Sequence, residues 1–173
     1  MKIIATAVAI LAFAAVQTYA APIAVDTQEL LFYGGIDFES PAGTDISLDA
    51  GYGYFVADYV EVGGLFGFDN DDIVSSFSAG GFAEYNIETE TDVMPFVGTQ
   101  LRVIYTDIEV AEESESETAL ALGLYAGVKF FVTEQMAVSV RVLGETATED
   151  VYVENDEVSN VDIGFEFGLR YFF

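Results

Sequence analysis

The clearest pattern lies at the end of the chain. Between Val161 and Phe173, every second residue is apolar or aromatic: Val161, Ile163, Phe165, Phe167, Leu169, Tyr171 and Phe173. The residues between them are Asp162, Gly164, Glu166, Gly168, Arg170 and Phe172, all charged or glycine except the last. A period of two predicts a β-strand with one greasy and one polar face. The same alternation recurs upstream over about 30–38, 46–57, 59–69, 75–86, 94–106, 118–131 and 136–145.

Each of these eight segments is about ten residues long, the length at which a tilted strand crosses a bilayer. The predicted fold is all-β: an eight-stranded antiparallel up-and-down transmembrane β-barrel, apolar toward lipid and polar toward the lumen. An even strand number puts both ends on one side, the periplasmic side for an exported barrel. The connections over 40–45, 69–74, 107–117 and 146–160 then face outward, and the last three are acidic. Those at Asp58, 87–93 and 132–135 face the periplasm.

The basic residues sharpen this reading. Beyond Lys2 there are only Arg102, Lys129, Arg141 and Arg170, and all four fall on the inward face. On the lipid face each would cost roughly 2–4 kcal/mol at the midplane. Inward they share the lumen with Asp37, Asp49, Glu61, Glu84, Glu145 and Glu166. Most glycines also point inward, which leaves room for long charged side chains in a barrel just wide enough to be filled by its own residues. The expectation is a lumen filled by salt-bridged side chains.

Composition removes several function classes. The chain opens with Lys2 and an apolar run from Ile3 to Val16, followed by Thr18, Tyr19 and Ala20. That is the pattern of a secretory signal peptide, residues 1–20, ahead of a barrel domain over 21–173. With 30 acidic and 5 basic residues the net charge is −25, which argues against nucleic acid as a partner. The absence of cysteine rules out disulfides and thiolate chemistry. The absence of histidine removes the commonest general base. Paired carboxylates such as Asp71 and Asp72 lie in loops, where a solvated surface is the expected role. No enzymatic activity and no cofactor are expected.

The signal peptide, the alternation and the aromatic ending resemble the small outer-membrane β-barrel family of Gram-negative bacteria, the class of the OmpA membrane domain and OmpX. The segments GYGYFVADYVEVGG, Gly51 to Gly64, and GVKFFVTEQMAV, Gly127 to Val138, resemble its strand–turn–strand units. The resemblance implies location in the outer membrane, contact with outer-membrane lipid, and insertion by the barrel-assembly machinery. Phe167, Leu169, Tyr171 and Phe173 match the C-terminal signal read by that machinery. A monomer is expected.

The function this supports is a structural or surface-interaction barrel displaying acidic extracellular loops. One alternative is a low-conductance, porin-like channel; another is a soluble lipocalin-like binding barrel with the two faces exchanged. The acidic segments raise divalent-cation binding, with Asp69, Asp71 and Asp72 as candidate ligands, since Ca²⁺ takes several carboxylate oxygens. No EF-hand spacing is present there. Solvated carboxylates that keep the surface anionic are the favoured account of these segments, so millimolar Ca²⁺ should leave unfolding stability unchanged; a Ca²⁺-dependent rise would establish a site.

Overall fold

A computed structural model describes residues 23–40, 43–70, 74–110, 113–154 and 157–173; side-chain surroundings are described outside 35–46, 70–74, 107–115 and 153–158. The expected leader, 1–20, lies outside the described residues, as do Asp71, Asp72 and the side chain of Asp37.

Eight antiparallel strands close into a barrel. They are β1 (Gln28–Ser40), β2 (Gly43–Ala57), β3 (Val60–Asn70), β4 (Val74–Asn86), β5 (Val93–Val110), β6 (Glu113–Phe131), β7 (Met136–Ala147) and β10 (Val161–Phe172). Each pairs with its chain neighbour, and β10 returns to β1. Two short strands, β8 (Tyr152–Glu154) and β9 (Glu157–Ser159), form a separate hairpin in the last outer connection. Closure is forced by the surroundings: in hydrocarbon an unpaired N–H or C=O costs several kcal/mol, so a spanning sheet must have no edge.

Alternation sets which residues face which way. Ile163 and Phe165 are 73% and 74% exposed, whereas Arg102, Lys129, Arg141 and Arg170 are 8%, 0%, 2% and 1% exposed. Apolar groups outside and charges inside exclude the exchanged, lipocalin-like arrangement. The stagger of the strands is large. From Phe167 the register runs through β1 to β4 and reaches Tyr105; run through β7 and β6, it reaches Pro95, ten residues away on the same strand. Stagger, tilt and diameter are linked, and a stagger above eight gives a wider interior than the eight-stranded TIM β-core.

Several strands outrun their expected ends. Segment 107–117, expected as an acidic loop, is mostly ladder, with Asp107 opposite Ser116 and Val110 opposite Glu113. The 40–45 connection shrinks likewise, with Ser40 opposite Gly43. An antiparallel hairpin needs only two connecting residues, so pairing continues into water after the lipid-facing pattern stops. At the other end of β2, a bulge between Phe55 and Ala57 turns Ala57 outward, against the inward place its parity gave it. The tight turn that follows puts Tyr59 at φ 64, a left-handed conformation uncommon for an aromatic residue. Its side chain packs on the buried group at the barrel floor.

Phe167 lies where β1, β10 and β7 pair, on the outward face. Phe167→Arg should therefore lower unfolding stability in lipid by about 2–4 kcal/mol. Equilibrium denaturation in vesicles measures this, and a loss below about 0.5 kcal/mol, the scale of an ordinary surface substitution, would contradict the lipid-facing assignment.

Candidate functional site

The lumen is built in levels. At the periplasmic floor, Ile23, Phe55, Met94, Phe131, Ala137 and Phe172 form one buried apolar group. Ile23 is held there by its own backbone neighbours: the Asp26 N–H donates to the Phe55 carbonyl at 3.0 Å, and the Phe55 N–H donates to the Thr27 carbonyl at 2.9 Å. Phe172, the exception on the polar face of the last strand, belongs to this floor and packs against Phe131 with tilted rings whose centroids are 5.3 Å apart.

Directly above lies a charged layer. Lys129 Nζ reaches Glu84 at 2.7 Å, Glu29 at 3.3 Å and Glu61 at 3.7 Å. Arg170 donates to Glu29 at 2.8 Å, to both oxygens of Glu84 at 2.9 and 3.0 Å, and to the Tyr33 hydroxyl. Lys129 also sits 5.4 Å from the Phe172 ring centroid and 5.8 Å from that of Phe55, so the floor helps hold it. These side chains fit because glycines face them: a Cβ on Gly53 would strike the Glu61 carboxyl, and one on Gly98 would strike the Tyr125 ring.

The middle is aromatic and aliphatic, with Leu31, Tyr33, Leu65 and Phe82 in one buried group and Phe96, Tyr125 and Leu143 in another. The Arg141 guanidinium lies 3.8 Å above the Tyr33 ring centroid, stacked between the two charged levels. It donates to Glu166 and approaches Asp49 at 3.7 Å. Arg102 makes a fork with Glu145, at 2.6 and 3.2 Å, and reaches Asp49 at 3.4 Å. Gln100 donates to the same Glu145 at 2.8 Å.

The outer connection closes over this upper level. Val151 is buried with Ile104, Ala119, Ala121 and Ala147, and Tyr152 packs against them. The Tyr152 hydroxyl donates to Glu145 at 2.5 Å. Thr148 is tied to Leu120 by two bonds: its N–H donates to the Leu120 carbonyl at 3.0 Å, and its hydroxyl accepts from the Leu120 N–H at 3.1 Å. Burial, and next the bond to Glu145, push the Tyr152 hydroxyl above the usual tyrosine range.

The residues singled out by parity thus divide into two knots. Glu61, Glu84, Lys129 and Arg170 meet in the lower one, and Asp49, Arg102, Arg141, Glu145 and Glu166 meet in the upper one. Glu29 was missed, although it is fully buried and bonded to both Lys129 and Arg170. Its parity with Leu31 and Tyr33 marks it as inward, one residue ahead of the expected strand start at Leu30. Phe167, Leu169, Tyr171 and Phe173 all lie outward. Asp69 is exposed at the outer end of β3, opposite Ser76. Among the described residues no group of three or more acidic side chains is arranged to hold a metal ion.

An inside-out barrel with an apolar belt and a charged interior defines a protein that spans a membrane with strands. The chain belongs to the outer membrane protein beta-barrel domain family, whose sequence model matches residues 5–172, and this places it in the Gram-negative outer membrane. Solved structures agree on the fold. The N-terminal β-barrel domain of Pseudomonas aeruginosa OprF superposes with a TM-score of 0.67 at 16% identity, covering 86% of this chain and 98% of that one. Neisserial surface protein A gives 0.60 at 17% identity, covering 84% and 94%. The attachment invasion locus protein Ail of Yersinia pestis gives 0.50 at 12% identity, covering 86% and 97%. No curated protein matches the sequence.

Two predictions follow from this geometry. Lys129→Ala leaves Glu29, Glu61 and Glu84 with one cation between them and should destabilise the barrel by about 3–5 kcal/mol. Adding Glu84→Gln should recover part of that loss in denaturant titrations; full additivity of the two losses would show that the residues are not coupled. The second concerns pH. Tyr152 is favoured as the neutral phenol in the folded state, so its contribution is complete below about pH 10, where an unfolded tyrosine titrates, and is lost as pH rises past it. Stability should therefore fall less steeply above pH ~10 in Tyr152→Phe than in the parent; equal slopes would contradict the Tyr152–Glu145 contact.

Proposed function

We propose that this protein is a closed, non-enzymatic outer-membrane barrel that acts as a structural or surface-interaction component, presenting acidic outer segments on a rigid cylinder. The observation that carries the reading is the axial sequence of obstructions. Ile23 and the floor aromatics stand at one end, Val151 and Tyr152 at the other, and two ion-paired knots fill the space between. Water-filled channels are a property of much wider barrels. Cations each held by two or more carboxylates have little reason to yield to a passing ion, because removing one partner strands the others in a buried interior.

The outer surface supports the display role. The β5–β6 ladder continues through Val110 opposite Glu113, beyond the lipid-facing alternation, and this stretch includes Asp107, Glu109, Glu113, Glu115 and Glu117. A dense negative rim favours cationic partners and repels anionic ones at low ionic strength.

Planar-bilayer recording of the refolded chain tests the closed reading. An inserted barrel should be electrically silent. Discrete, reproducible openings would overturn it in favour of a low-conductance channel.

A further inference from the structure

The charges of the lower knot do not balance. Glu29, Glu61 and Glu84 bring three carboxyls to two cations, Lys129 and Arg170, and none of these residues is more than 2% exposed. Both cations are committed. The N–H groups of Arg170 donate to Ser139, Glu29, Tyr33 and both oxygens of Glu84, which uses all five of them. Lys129 Nζ holds Glu84 at 2.7 Å and Glu29 at 3.3 Å. Glu61 is left over. Its Oε2 faces Lys129 Nζ at 3.7 Å and Arg170 Nη1 at 4.0 Å, beyond hydrogen-bond reach. Neither of its oxygens has a hydrogen-bond partner among the described residues.

The register makes the excess worse. Glu61 stands directly opposite Glu84 in the β3–β4 ladder, and both side chains turn inward. Like charges directly across a ladder are destabilising. A buried carboxylate with no hydrogen bond is costlier still, and such a group is neutralised rather than carried as a charge. A metal ion does not suit the place. It needs several oxygens close around it, whereas Glu61 Oε1 lies against β2, where a Cβ on Gly53 would strike it, and Oε2 looks toward two positive nitrogens. Among the described residues no group of three or more acidic side chains is arranged to hold a metal. A proton needs no such cage, since it bonds to a single oxygen.

We propose that the lower knot is a proton-binding site: in the folded barrel Glu61 is a neutral carboxylic acid. Its carboxylate takes one proton from solvent as the barrel forms, which leaves two carboxylates against two cations. The charged groups around it are Glu29 from β1, Glu84 from β4, Lys129 from β6 and Arg170 from β10. At the same level β1 also supplies the Tyr33 hydroxyl, while β5 and β7 supply the uncharged Phe96 and Ser139. Glu29 and Glu84 each bond to both cations and stay ionised. Glu61 is the carboxyl without such a bond, so the proton falls to it. The site is separate from the display role proposed above.

Infrared spectroscopy of the refolded barrel in vesicles at neutral pH reads this proton directly. The folded protein should show a carboxylic-acid carbonyl band that shifts when refolding is done in heavy water. The denatured chain at the same pH should lack it, because an unfolded glutamate is ionised there. With 30 acidic residues in the chain, Glu61→Gln makes the assignment. It replaces a neutral acid by a neutral amide of the same shape. The variant should fold, lose that band, and keep its folding equilibrium constant within about threefold of the parent. Absence of the band from the folded parent overturns the proposal; a rise in stability with sodium or potassium chloride would then assign a metal ion in its place. A band that persists in Glu61→Gln puts the acid elsewhere and overturns it too. So does a Glu61→Gln chain that fails to fold or loses about a hundredfold or more in that constant, the loss expected when an ionised partner is removed from a buried pair.

Discussion

Five of the eight barrel strands meet in one knot of charge. Glu29 comes from β1, Glu61 from β3, Glu84 from β4, Lys129 from β6 and Arg170 from β10, all essentially without solvent exposure. Side chains buried this deeply depend on one another for what solvation would otherwise provide. The wall outside it faces hydrocarbon, where neither backbone nor charge finds a partner. These two facts explain most of the fold: charges must turn inward, and once inward they must meet across the lumen. The upper knot brings in the strands the lower one omits, with Asp49 on β2, Arg102 on β5, and Arg141 and Glu145 on β7.

The glycines on the inner face follow from the same constraint. Side chains as large as Arg141, Arg170, Tyr33 and Phe96 are buried in one narrow cylinder. They fit because the residue facing each is often glycine, as at Gly168 below Tyr33 and Gly127 below Phe96. The wide stagger supplies the remaining room. Stability and closure are thus two aspects of one packing arrangement, and a substitution that opened the lumen would also uncouple strands.

The alternation made the barrel legible because lipid imposes a simple rule on every outward position, and period two is readable over ten residues. The inward assignment of Arg102, Lys129, Arg141 and Arg170 followed from that rule and the cost of a charge in lipid. What rule and cost do not encode was harder to read. Parity says that Glu84 and Lys129 face the same lumen, but only the strand stagger sets them 2.7 Å apart. Glu29 escaped because an acidic residue at a strand start reads as a turn. The long β5–β6 ladder escaped because above the membrane nothing forces the two faces to differ. The fold of Val151 and Tyr152 back onto the barrel mouth carried no local signal, since a Val–Tyr–Val run in an acidic loop equally describes an exposed hairpin.

The chain offers a direct probe of its own interior. It has two lysines, Lys2 in the expected leader and Lys129 in the lower knot. Treating the refolded barrel with a water-soluble, membrane-impermeant amine acylating reagent, followed by mass spectrometry, asks whether water reaches that knot. The closed-lumen account predicts an unmodified Lys129 in the folded protein and complete modification after denaturation. Stoichiometric acylation of Lys129 in the folded barrel would contradict it and show an aqueous path through the lumen.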